Sequence, residues 1–126
     1  MRAMQLERIV NLANDSEPLT QAVLDQPVPG PGELLIAVST CGVCHTELDE
    51  IEGRTPPPRL PVIPGHEIVG RVAALGPECQ RFREGDRVGV GWIHSSDGSC
   101  TENLHQAFVA TGRDVNGGYA EYMVVG

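Results

Sequence analysis

Apolar residues along this chain come in short runs separated by turn-forming residues. Met4 to Val10 and Leu19 to Leu24 are two such runs, divided by the polar, turn-rich Asn11 to Pro18, and they are expected to open the fold as a pair of strands. Pro27, Pro29, Gly30, Pro31 and Gly32 then punctuate the chain, and the β-branched-rich Glu33 to Thr40 has the length of a strand. Cys44 to Glu50 suits a short helix, stopped by Gly53 and the prolines at 56, 57 and 58. In His66 to Leu75, Ile68, Gly70, Val72 and Ala74 fall on one face of a strand. Gly85-Asp86 forms a tight turn into Arg87 to Trp92, where Val88, Val90 and Trp92 alternate with Arg87, Gly89 and Gly91. Tyr119 to Val125 is the last strand, and Ser95 to Asn116 reads as loop.

Many short strands, glycines inside them and one short helix predict a mainly β fold, a curled and partly open barrel. The 126 residues fit one domain over 1–126. Aromatics make up only 4%, so the core must be aliphatic, and 15 glycines with 10 prolines favour strands and turns over a helical bundle. A formal charge of −8 argues against a nucleic-acid or anionic-membrane partner. Charge interrupts every apolar run in the first ten residues, so no signal peptide is expected there. Leu34 to Val38 is far too short to span a bilayer. A cytoplasmic protein with reduced thiols is the default expectation.

Two segments carry chemistry: Cys41-Gly-Val-Cys-His-Thr-Glu at 41–47 and Pro64-Gly-His-Glu at 64–67. Alone, the Cys-x-x-Cys admits half of a structural zinc site, a redox pair, or two buried thiols. A redox pair normally opens a helix in an α/β setting, whereas this one follows a strand. A four-cysteine site is awkward, because Cys79 and Cys100 have no close cysteine neighbour. Taken together the segments are more specific. A catalytic zinc needs three protein ligands and an open position, and Cys44 and His66 both stand at element ends, where side chains can converge. Glu67 could approach the metal or hold a neighbouring charge.

The strings Gly42-Val43-Cys44-His45-Thr46-Glu47 and Pro64-Gly65-His66-Glu67, with Gly70, resemble the zinc-dependent medium-chain alcohol dehydrogenases. Leu75-Gly76, Gly85-Asp86-Arg87-Val88 and Gly117-Gly118-Tyr119-Ala120-Glu121-Tyr122 extend the match along nearly the whole chain. The resemblance implies that family's GroES-like catalytic domain. It implies Cys44 and His66 as two ligands of catalytic zinc, and Thr46 as the hydrogen-bond partner of the substrate hydroxyl that starts its proton relay. His45 would contact the cofactor pyrophosphate. Glu67 would be an acid beside the metal that can transiently join its coordination. Glu47 would orient the ligand histidine from behind, and Trp92 would line the substrate pocket. Cys41 is expected in the core, Cys79 at a surface or strand edge, and His94 and His105 as solvated loop residues.

The sequence departs from that family in three places. The third zinc ligand is a cysteine expected beyond Gly126. No Gly-x-Gly-x-x-Gly follows a strand, since Gly89-Val90-Gly91 has His94 where the third glycine belongs, so the NAD or NADP domain is expected to be absent. The loop after Trp92 keeps one cysteine, Cys100, with Asp97 and His105 near former ligand positions, so no structural zinc is expected there and the loop should be poorly ordered. Two readings follow. One is the catalytic portion of an alcohol dehydrogenase acting on small alcohols or aldehydes, inactive by itself. The other is a non-catalytic GroES-like metal-binding or interaction module. In either, self-association through an exposed apolar face around Cys44, Thr46, His66 and Trp92 is expected.

Overall fold

A computed structural model describes residues 1–126, the side chain of Asn103 excepted. In chain order the elements are β1 (Arg2–Leu6), β2 (Leu19–Val23), β3 (Leu34–Cys41), α1 (His45–Ile51), β4 (Ile68–Leu75), β5 (Arg87–Val90), β6 (Ile93–Ser95), β7 (Val109–Ala110) and β8 (Tyr122–Val125), with a 3-10 turn at Glu102–Leu104. The central sheet runs β5-β4-β3-β8, and β1-β2 and β6-β7 form two small antiparallel pairs. The sheets curl without closing, in line with the partly open barrel expected from the strand pattern.

Leu34, Leu35 and Ile36 are consecutively buried because β3 lies between β4 and β8 and is covered on both faces. Leu34 and Ile36 join Ile68, Val72 and Met123 in the main core, with Cys41 and Cys79 half-buried against it. A second, smaller core gathers Leu6, Ile51 and Val62. It is tied by reciprocal backbone bonds between Leu6 and Val62 at 2.8 and 3.1 Å. Burying Ile51 there contributes about 1.5–3 kcal/mol, which anchors a helix of seven residues too short to hold itself.

Several boundaries differ from the sequence reading. β1 starts at Arg2 and stops at Leu6, since Val10 leaves the strand to bond Ile51 through its backbone. The strand after Gly85-Asp86 ends at Val90, short of Trp92, and β8 begins at Tyr122 after a loop that bonds Pro64 and Gly65. The stretch read as loop holds β6, β7 and the 3-10 turn, paired as Ile93↔Ala110 and Ser95↔Val109. Those strands are two and three residues long, too brief to leave a pattern of alternation. Among the described residues no helix is long and apolar enough to cross a membrane.

Candidate metal centre

Strand register brings the two motifs together. β3 and β4 are antiparallel, and their pairing runs out at Cys41↔Ile68. The residues that follow Cys41 and those that precede Ile68 therefore emerge at the same end of the sheet. Cys44 stands three residues beyond that point and His66 two residues before it. The loop carrying His66 is fixed by backbone. Gly65 adopts φ +98°, open to glycine and strained for other residues. Its carbonyl accepts from Gly118 N–H at 3.0 Å, and Gly117 N–H donates to the Ile63 carbonyl at 2.7 Å. Gly117 packs so closely that a Cβ there would stand 2.0 Å from the Gly65 oxygen. The Gly117-Gly118-Tyr119 motif thus serves the loop that presents His66.

Cys44 caps α1 in an extended conformation, φ −125°. Its Sγ accepts from the Thr46 N–H at 3.3 Å, and its own N–H donates to Glu47 Oε2 at 2.9 Å. This is a capping box with a thiol in place of the usual hydroxyl. The other oxygen of Glu47, Oε1, lies 2.9 Å from His66 Nδ1, with the two side chains 2% and 8% exposed. Neither atom makes a hydrogen bond to any other group. On the far side of the ring, Nε2 is 3.4 Å from Cys44 Sγ.

Cys44, Glu47 and His66 form the one cluster among the described residues whose donor atoms could share an ion. Glu47 has a different part in it from the other two. Its Oε1 faces the nitrogen turned away from Cys44, which favours a proton on Nδ1 and leaves the Nε2 lone pair for a metal. The separation of the remaining pair fits zinc. Sulfur at about 2.3 Å and nitrogen at about 2.05 Å on a tetrahedral ion lie about 3.5 Å apart. Thiolate and imidazole are also the ligand types that zinc takes.

The other residues singled out in the sequence are arranged around this pair. Thr46 is half-buried in the first turn of α1. The His45 side chain is 77% exposed, with Nε2 3.6 Å from Asp49 Oδ1. Glu67 is exposed and outside the three-residue cluster, its backbone carbonyl accepting from Gly42 at 2.8 Å. Trp92 is 37% exposed, its ring 6.4 Å from that of His66 and 5.3 Å from that of Phe108. His66, Glu67, Val69, Val90 and Trp92 line an open hollow beside the cluster. Burial pushes the Cys41 thiol pKa up, as suits a residue packed on the core rather than a ligand. His94, expected in solvent, is half-buried with Nδ1 buried and unpartnered, because β6 carries it inward. His105 is exposed, 3.9 Å from Asp97. Cys100 is exposed, and no cluster able to share an ion includes it among the described residues.

Sequence reasoning missed Glu50, fully buried one turn after Glu47. The spacing was visible: Glu47, Glu50 and Ile51 are the buried residues of α1, at helical intervals.

Comparison with known proteins gives the same ancestry throughout. Residues 30–126 match the family described as alcohol dehydrogenase GroES-like domain. An alcohol dehydrogenase of Rhizobium meliloti (strain 1021) is 46% identical over 113 residues, covering 84% of this chain and 33% of that protein. An alcohol dehydrogenase of Moraxella sp. (strain TAE123) is 44% identical over 108 residues, covering 80% of this chain and 32% of the relative. The chain thus spans about a third of the length of these curated relatives. Among solved structures, a thermostable alcohol dehydrogenase from Pyrobaculum aerophilum with cobalt and zinc bound superposes with a TM-score of 0.83 at 31% identity, covering 99% of this chain and 39% of that one. An NAD-dependent alcohol dehydrogenase also gives a TM-score of 0.83, at 30% identity over 99% of this chain and 37% of that one.

Proposed function

The chain belongs to the alcohol dehydrogenase GroES-like domain family, and on that premise we propose that it is the zinc-holding catalytic portion of a nicotinamide-dependent alcohol dehydrogenase. The observation that carries this reading is the 3.4 Å approach of Cys44 Sγ and His66 Nε2, with Glu47 behind the ring. Cys44 and His66 would hold the metal, and the family resemblance assigns a third ligand, a cysteine, outside residues 1–126. When bound, zinc supplies Lewis acidity toward an alcohol oxygen, in a reaction that takes a small alcohol to an aldehyde or ketone with NAD or NADP.

The chain's own residues have separate tasks in this proposal. Glu47 fixes the imidazole tautomer and orientation. Thr46 accepts the hydroxyl proton of the alcohol and passes it toward solvent. His45, exposed at the start of α1, presents its ring to the cofactor pyrophosphate. Glu67, at the rim of the open hollow, is the acid that can approach the metal. Trp92 bounds the substrate side and excludes water from it. The nicotinamide would be held by residues outside these 126, so the 126 alone are inactive in this reading. The same face, with Val43 75% exposed and Trp92 37%, is the surface through which copies of the chain self-associate.

The test is titration of the chain with Co²⁺. Thiolate ligation gives a near-ultraviolet charge-transfer band, expected in the native chain and lost in Cys44→Ser. A native chain that shows no such band at saturating Co²⁺ would remove the basis for the metal centre.

A further inference from the structure

The buried face of α1 carries a second carboxylate that the metal centre does not use. Glu50 is 1% exposed, and neither of its oxygens makes a hydrogen bond. An unpartnered buried carboxylate is costly when ionised, and calls for an explanation. The groups that face it are Glu47 and Asp49 from its own helix, Arg113 and Asp114 from the turn after β7, and Tyr119 from the segment entering β8. Arg113 is the one cation among them. Its Nε and Nη2 donate to Asp114 at 3.1 and 2.9 Å, so its charge is already matched and its fork is turned away from Glu50. Asp49 is paired with Arg54. Tyr119 directs its hydroxyl to the Gly42 carbonyl at 3.4 Å, and burial raises its pKa, so it stays a neutral phenol.

Glu47 and Glu50 differ sharply in what they are offered. Glu47 receives the Cys44 N–H at 2.9 Å and faces His66 Nδ1 at 2.9 Å, both of which favour its anion. Glu50 receives nothing. Burial, with the charge of Glu47 adding to it, pushes the Glu50 pKa up to about 8. Two buried carboxylates one turn apart therefore hold one proton and one charge between them at neutral pH.

We infer that Glu50 is a positioning residue for the metal centre: kept as an uncharged acid behind Glu47, it leaves the single negative charge of the pair on the carboxylate that faces His66. Its purpose, though not its protonation, rests on the metal-centre reading. Ionising Glu50 puts two like charges on one buried helix face. The repulsion weakens the hold of Glu47 on the imidazole, so the ring environment of His66 should change as Glu50 titrates.

The experiment uses the full 126-residue chain without metal, labelled with ¹³C at the glutamate carboxyl and ¹⁵N in the histidine ring, followed by NMR from pH 5 to 9.5. One glutamate carboxyl is expected to titrate near pH 8 and to vanish from the spectrum of Glu50→Gln. The ring nitrogens of His66 should shift over the same range in the native chain and stay constant in Glu50→Gln. The amide replaces a neutral acid of equal size; should that variant fail to fold, the native titration decides alone. Absence of any carboxyl titrating above pH 6 overturns the inference, as does a His66 response that persists in Glu50→Gln. Parallel titration with Co²⁺ separates the two readings. Co²⁺ binding without the high-pH carboxyl sinks this inference only. The carboxyl without Co²⁺ binding sinks the metal centre, and with it the purpose given to Glu50.

Discussion

Glu47 Oε1 lies 2.9 Å from His66 Nδ1, and the same carboxylate takes the backbone N–H of Cys44 through Oε2 at 2.9 Å. One buried side chain therefore ties together the two residues that face each other across the candidate site. It sets the ring of one and the backbone of the other.

The first prediction follows from that double tie. Glu47→Gln keeps an oxygen for the Cys44 N–H but loses the charge opposite Nδ1. Loss of such a supporting partner costs about 10–100-fold in metal affinity. A Co²⁺ titration of the variant against the native chain should show this weakening with the charge-transfer band unchanged in position. Equal affinities would mean that Glu47 does not support the imidazole.

A second prediction concerns pH and stability. The folded Glu50 pKa of about 8 stands above its ordinary value of 4.5. Between these values the folded chain binds more protons than the unfolded one. Stability therefore falls as pH rises from about 4.5 to about 8 and levels off above, with a steepest slope of about 1.4 kcal/mol per pH unit from this group. Urea unfolding at several pH values should give that decline in the native chain. The difference between native and Glu50→Gln isolates it, and a pH-independent difference would count against the raised pKa.

What the sequence made legible, and what it hid, divides along physical lines. Cys44 and His66 could be paired because each sits beside a strand with strong β-branched character, and the two strands are neighbours. The short helix was visible from its flanking turn residues. Glu50 was not recognised because a glutamate on a short helix is normally solvated, and only the second core beneath Ile51 makes this one buried. β6 and β7 escaped because two or three residues cannot show a period. The role of Gly117 was hidden for another reason: its contact with Gly65 spans distant parts of the chain and involves backbone alone.

That contact gives a third prediction. Gly117→Ala would place a Cβ 2.0 Å from the Gly65 carbonyl oxygen and 2.8 Å from that of Pro64, both backbone atoms that cannot swing aside. Overpacking of this kind costs about 1–3 kcal/mol. The loop that moves is the one presenting His66, so Co²⁺ affinity should fall as well. A lowered urea midpoint with unchanged Co²⁺ affinity would show that the loop adjusts without disturbing the site.

A fourth prediction is self-association. Val43, Leu48 and Trp92 are 75%, 36% and 37% exposed around the candidate site. Clustered apolar side chains of this kind favour burial against a second copy. Sedimentation equilibrium across a concentration series should show weight-average mass rising with concentration, and Trp92→Ala with Val43→Ser should reduce the rise. A native chain that remains monomeric throughout would remove this face as a contact.

The last prediction is that these 126 residues, supplied with zinc, do not oxidise alcohols with NAD or NADP. Hydride transfer requires the nicotinamide to be held against the substrate carbon, and such positioning is worth roughly 7–11 kcal/mol of barrier in favourable cases. No glycine-rich strand-to-helix turn of the dinucleotide-binding type occurs in the sequence, and His45, 77% exposed, contacts only Asp49 among charged groups. The metal is weakly held for a related reason. Cys44 and His66 supply two ligands, Glu47 is turned to the back of the ring, and Glu67 lies outside the cluster. Zinc bound this way should be lost readily to a chelator. A steady-state assay with zinc, each cofactor and a panel of primary and secondary alcohols is the measurement. Turnover that disappears in Cys44→Ser would show that the short chain assembles a working site, and would require a cofactor position that this fold does not display.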